Sequence, residues 1–206
     1  MTEDTTPGTK RHDRLEILIA SLLGLAAILV AVAGYQASLR DGDSVKSFNE
    51  GIRATNDANG FYNEASQTFG RDQSLFLEYA KAAQDPKQAD LGTYLHDAIM
   101  DDNLRGAVDE WQADDSGIAT PLDAKSYAVP EQDEAERLSK VTDHKFAEAR
   151  ALDDEGDKYS LVGVIVASSL FFLGIAGVMS SIRTKIVGTA AGAISLAVAF
   201  GIWLTI

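Results

Sequence analysis

Acid–base or metal chemistry in this 206-residue chain would have to come from three histidines and 31 Asp or Glu side chains, since cysteine is absent. His12, His96 and His144 are far apart and lack metal-ligand spacing. His144 and Glu148 stand four apart on one helix face and offer half a metal site at most, and a solvated face is the simpler account. Asp153, Asp154, Glu155 and Asp157 gather just ahead of an apolar run, where carboxylate oxygens could attract Ca²⁺ or Mg²⁺. They do not follow the EF-hand spacing, and a solubilising acidic collar explains them without a metal. The chain has no Cys nucleophile, Walker loop or G-x-S-x-G elbow. No set of acid, base, nucleophile or metal ligands can be assembled. The expectation is a protein that is not an enzyme and needs no cofactor.

The elements that would carry these residues are set by three apolar runs, 17–39, 159–182 and 186–206, which are 23, 24 and 21 residues long without one charged side chain or histidine. A helix crossing the hydrocarbon core needs roughly 20 such residues. The chain therefore reads as an integral membrane protein whose first partner is the lipid bilayer. Polar side chains inside the runs include Ser21, Ser168, Ser169, Thr189 and Ser195, none of them ionisable. Ion-coupled carriers ordinarily place ionisable groups there, so that class is disfavoured. Tyr35, Tyr159 and Trp203 lie near span ends and suit interfacial anchoring. Glu16 lies at one boundary beside Arg14, where pairing or snorkelling is expected.

Lys10, Arg11 and Arg14 precede the first run, and Arg183 and Lys185 separate the second from the third. Loops rich in Lys and Arg stay cytoplasmic. The expected layout is a cytoplasmic tail (1–14), a first span (15–39), an extracytoplasmic segment (40–158), a second span (159–182), a cytoplasmic turn (183–185) and a third span (186–206), all in the cell membrane. Segment 40–158 holds 13 Lys or Arg against 27 Asp or Glu, so it accounts for the whole net charge of −13. That charge disfavours a nucleic-acid partner, because no basic footprint exists. Residues 10–33 also fit a signal peptide cleaved after Ala31-Val32-Ala33. The apolar stretch before that site has 17 residues, and it continues through Gly34 to Leu39, which favours a retained anchor.

Between the first two spans the pattern is helical. Val45, Phe48, Ile52, Thr55, Asn59, Tyr62, Ser66 and Phe69 recur at three and four, predicting a bundle or loose coiled-coil seam. The pattern continues through Leu75, Tyr79 and Ala82 to Asp85-Pro86, where a new helix can begin. Leu91, Leu95 and Ile99, then Leu104, Val108 and Trp111, mark a second stretch with a break near Asp101-Asp102-Asn103. A loop is predicted over 113–130. From Glu131 one helix should run into the second span, with Ala135, Leu138, Thr142, Phe146, Ala149 and Leu152 on one face. The fold class is all-α: three transmembrane helices with a helical extracytoplasmic bundle or stalk inserted between helices one and two.

Small residues are placed regularly within the spans. Ala20, Gly24, Ala27, Ala31 and Gly34 share a face of the first; the second has Gly163 with Ala167, and Gly177 with Ser181; the third has Gly188 and Gly192 in a GxxxG arrangement. Such faces let helices approach closely in lipid, within or between subunits. Gly188 and Gly192 offer the closest approach, and a homo-oligomer or a membrane-protein partner is expected to use these faces.

The stretch SYAVPEQDEAERLSKVTDHKFAEARALDDEGDKYSLVGVIVASSLFFLGIAG, together with GYQASLRDG and ANGFYNEASQ after the first span, is similar to uncharacterised three-span prokaryotic membrane proteins. In those proteins an Ala-rich helix containing Tyr or Trp follows span one, and an acidic helix leads into span two. The resemblance rests on layout and composition over most of the chain and implies topology without supplying an activity. The function expected is a membrane scaffold or accessory protein acting through helix–helix self-association and its acidic outer domain. The alternative is a small homo-oligomeric cation channel, with the acidic collar concentrating cations at its mouth.

Overall fold

The computed structural model describes residues 7–113 and 117–206, with side chains described from Asp13 onward. Lys10, Arg11 and His12, which entered the orientation and metal arguments, lie outside the described side chains. Every regular element among the described residues is helical. Helix α1 (Pro7–Gln84) spans 78 residues. A 3₁₀ turn (Pro86–Gln88), α2 (Ala89–Tyr94), a π turn (Leu95–Ile99) and α3 (Asp102–Ala113) follow. After a short 3₁₀ turn (Pro121–Asp123) come α4 (Pro130–Val178) and α5 (Ile182–Trp203). Helices α1, α4 and α5 each contain a stretch long and apolar enough to cross a membrane.

Local chemistry sets these boundaries. The residue before a proline disfavours helical dihedrals, and Asp85 is extended (φ −108°, ψ 110°), which ends α1. Its carboxylate accepts from Lys87 N and Gln88 Nε2, both at 2.9 Å, capping the turn that follows. Pro130 opens α4 with Glu131 and Asp133 in its first turn, and the helix continues unbroken through Gly156. The break between the second and third apolar helices falls at 179–181, ahead of the expected 183–185. Ser180 and Ser181 favour non-helical backbone, and Ser181 is extended at φ −79°, ψ 124°. Arg183 and Lys185 consequently belong to the first turn of α5.

The chain divides into two compact units, Met1–Asn49 with Lys145–Ile206, and Glu50–His144. The first contains the apolar parts of α1 and α4 together with α5. Its core is Ala26, Ala33, Val162, Val166, Leu196 and Ala199. Ser169 Oγ donates to Gly192 O at 2.7 Å and Ser195 Oγ to Ile165 O at 3.0 Å, joining α4 to α5 twice. Further along, Ser44 Oγ donates to Ala149 O at 2.9 Å and Phe48 packs on Phe146 at 5.2 Å. At Gly156 a Cβ would collide with the Asp41 carboxylate and sit 3.5 Å from Ala37 O, so this glycine is a close-approach point between α1 and α4.

The second unit packs α1 from Glu50, α2, α3 and the start of α4. Phe76, Met100, Leu104 and Val108 form its core, with Tyr79, Trp111, Leu122 and Tyr127 against them. Of the second predicted stretch, Leu95, Leu104 and Val108 are buried, whereas Leu91 and Ile99 are exposed.

The repeat along α1 has the predicted period but a different face. Val45 is 60% exposed, Phe48 52% and Ile52 40%. The inward residues stand one position earlier: Ser47, Gly51, Ala54, Ala58 and Ala65 are buried. The same offset holds in the apolar part, where Ile19, Ala26 and Ala33 are buried while Ala20, Gly24, Ala27, Ala31 and Gly34 are exposed. One residue is about 100° around a helix, enough to exchange a packed face for an open one. Small side chains let two helices approach closely, and the bulky ones flank the contact.

Candidate functional site

Polar side chains converge most densely in the second unit, on either side of α3. The π turn places His96 between two carboxylates: Nδ1 lies 2.7 Å from Asp97 Oδ1 and Nε2 2.9 Å from Asp109 Oδ1. The Tyr79 ring of α1 packs against the imidazole at 5.8 Å. Hydrogen bonding to Asp97, then to Asp109, raises the imidazole pKa above its ordinary 6.5, and partial burial opposes the shift. Arg105 donates through Nε to His96 O at 3.1 Å and through Nη2 to Met100 O at 2.9 Å, satisfying one carbonyl within the π turn and one just after it. An open cavity of about 400 Å³ adjoins this group, with Asp85, Thr93 and Gln112 on its walls. The Gln112 amide donates to the Tyr79 hydroxyl. Both ring nitrogens are engaged, so this imidazole is arranged as a charged clamp between the π turn and α3.

On the other side, Asp72 is fully buried in the α1 seam. Its Oδ1 accepts from Arg71 Nε at 3.0 Å, and its Oδ2 accepts from the Tyr127 hydroxyl at 3.0 Å. Arg71 Nη2 also reaches Asp101 Oδ2 at 3.0 Å. Asp101 Oδ1 in turn accepts from Leu104 N at 2.9 Å, capping α3. Burial, and then the Asp72 charge, hold the Tyr127 phenol protonated well above its ordinary range. Asn103 exchanges two hydrogen bonds with the Ala128 backbone, at 2.7 and 3.1 Å. These contacts tie the loop before α4 to both α1 and α3.

The residues selected from sequence are distributed elsewhere. Asp153, Asp154 and Asp157 are exposed, and Glu155 sits 3.0 Å from Arg40 Nε. At about 100° per residue Asp153 and Asp157 share an exposed face while Asp154 and Glu155 point elsewhere, so the four carboxylates do not converge. Among the described residues no group of three or more His, Cys, Asp or Glu is arranged to hold a metal ion. His144 is exposed, and Glu148 pairs with Lys145 at 2.9 Å. Tyr159 meets Trp203 edge-on at 5.7 Å. Gly188 and Gly192 face α4 within the same chain: a Cβ on Gly188 would lie 3.0 Å from Ala176 Cβ, and one on Gly192 2.6 Å from the Leu173 side chain. Gly163 faces Ala33 of α1 at 4.0 Å, while Ala167 is exposed. A Cβ at Gly24 or Gly34 would meet nothing within 4 Å.

Asp72 and the His96 clamp escaped the sequence reasoning. Asp72 had a usable signal, because it extends the three–four series through Ala58 and Ala65, where a carboxylate must find partners. The His96–Asp109 contact joins residues 13 apart across a helix break and has no periodic signature. No family model, curated protein or solved structure matches the chain.

Proposed function

We propose that this chain is a non-enzymatic integral membrane scaffold or accessory protein of the three-span prokaryotic type that it resembles. Segment 40–158 stands on the extracytoplasmic side, and the spans bring copies or partner proteins together. One observation carries this reading: five hydroxyls within the spans are committed to backbone carbonyls. Ser21 donates to Ile17 O, Ser168 to Val164 O and Thr189 to Lys185 O, while Ser169 and Ser195 bridge α4 and α5. With an apolar core between the three helices, this supports helix contact over conduction through the chain.

Because the Gly188–Gly192 face is occupied within the chain, self-association falls to the open face of α1 bearing Gly24 and Gly34. Counting photobleaching steps in liposomes at low protein-to-lipid ratio tests it. The wild type should show two or more copies per spot, and the Gly24→Leu/Gly34→Leu variant should shift to one with helicity unchanged. A wild type that stays monomeric, or a double variant that associates equally well, would sink the self-association. Dye-detected cation flux from the same liposomes would move the assignment to the channel.

A further inference from the structure

The first turn of α5 contains Arg183 and Lys185 and no acidic residue, setting cations beside the positive end of a helix. Lys185 is answered inside the chain, its Nζ 2.8 Å from Glu16 Oε1 and its side chain 4% exposed. Arg14 and Arg183 are exposed and make no ion pair among the described residues. Arg14 borders an open groove of about 230 Å³ between α1 and α5, whose walls are Leu15, Leu18, Ile182 and Ile186. Leu18 and Ile186 are 49% and 50% exposed, so the furrow is apolar and uncovered.

The two chemistries occur in the order of an amphiphile. Arg14 and Arg183 each stand three positions before the uncharged runs that open at Ile17 and Ile186, about 4.5 Å along a helix axis. On α1 the cation precedes the wall residues Leu15 and Leu18, and on α5 Arg183 stands between the wall residues Ile182 and Ile186, so the groove has a cationic end and an apolar length. We propose that this groove seats one anionic phospholipid, its phosphate held by Arg14 at the groove and drawn by the charge of Arg183, next in sequence to the wall residue Ile182, with an acyl chain lying along Leu18 and Ile186. The charge of the unanswered arginines selects an anionic headgroup, and the furrow selects a lipid over a free phosphate. The seat deepens the membrane reading and rests on it.

Native mass spectrometry of the full chain, released from neutral detergent after titration with phosphatidylglycerol or phosphatidylcholine of identical chains, tests the seat. Phosphatidylglycerol should be retained preferentially, with the preference falling about fivefold for each of Arg14→Gln and Arg183→Gln. The paired Arg→Lys variants should keep it, which guards against misfolding as the cause. Ile186→Trp should displace the lipid with both arginines present, whereas Val187→Trp, at a 68% exposed neighbour, should not. Equal retention of the two lipids overturns the proposal, as does an equal loss from Arg150→Gln, an exposed position outside the groove. Displacement by glycerol phosphate at lipid-like concentration would reduce the seat to a phosphate site and overturn the furrow. A chain that stays dispersed without detergent and retains neither lipid would instead refute the membrane reading.

Discussion

Asp72 is buried where the α1 seam of Ser47, Gly51, Ala54, Ala58 and Ala65 gives way to Phe76, and Arg71 and Tyr127 satisfy it from one neighbouring position and one distant loop. Removing a partnered buried carboxylate costs about 3 kcal/mol, the lower end of the usual range because Arg71 stays half in solvent. Asp72→Ala should therefore destabilise the Glu50–His144 unit by that order, whereas Tyr127→Phe, losing one hydrogen bond, should cost about 1 kcal/mol. Denaturant unfolding followed by Trp111 fluorescence in a Trp203→Phe background separates the two; equal effects would show that the Tyr127 hydrogen bond carries the carboxylate's whole contribution, and no loss from Tyr127→Phe that Arg71 alone satisfies it. His96 supplies the pH dependence. Its folded-state pKa is raised, so the clamp's contribution is complete below about 6.5 and is lost as pH rises through the folded value. The charged groups around it are Asp97 on its own turn, Asp109 and Arg105 of α3, and Asp85 beyond α2, with Tyr79 of α1 against the ring. Hydrogen exchange in the π turn and α3, corrected for intrinsic rate, should accelerate across that window in the wild type and be flat in His96→Gln.

Along α1 the seam inverts the usual ranking of side chains by size. Ala58→Leu forces bulk into a close helix contact and should cost about 1–3 kcal/mol, while Ile52→Ala, at a 40% exposed neighbour, should cost less than about 1 kcal/mol. Thermal unfolding of both variants decides it; a larger loss from Ile52→Ala would return the bulky residues to the core. The same logic applies between α4 and α5, where Gly192→Leu must displace Leu173 and should lower stability of the chain itself. The all-helical class, the uncharged runs and the unbroken α4 were legible because each is a periodic or compositional property of a long stretch. The face of α1 was not, since a three–four repeat looks the same one residue along and only the partner helix chooses between bulky and small. On α4 no such choice arose: Ala135, Thr142 and Ala149 are buried as their spacing predicts, because small and apolar residues share that face. The convergent polar groups were illegible for a further reason. Asp72 meets Tyr127 across 55 positions, through a loop whose path no local pattern encodes.

At the scale of the whole chain, the proposed topology makes a direct prediction. Single cysteines placed at Ser126 and at Ser180 should react with a membrane-impermeant maleimide only at Ser126 in intact cells, the chain having no cysteine of its own. Labelling at Ser180 alone would reverse the orientation. The two units also differ in how the chain supplies them. Glu50–His144 is one uninterrupted stretch, whereas the other unit needs residues from both ends. Glu16 and Lys185, paired at 2.8 Å, are separated by 169 positions. During synthesis the contiguous unit is therefore complete while α5 has yet to be made, and it can fold as a domain. The buried lysine finds its carboxylate only after the third apolar helix enters the membrane. The pair cannot form until the chain has been made through Lys185, so it records completion of the third apolar helix.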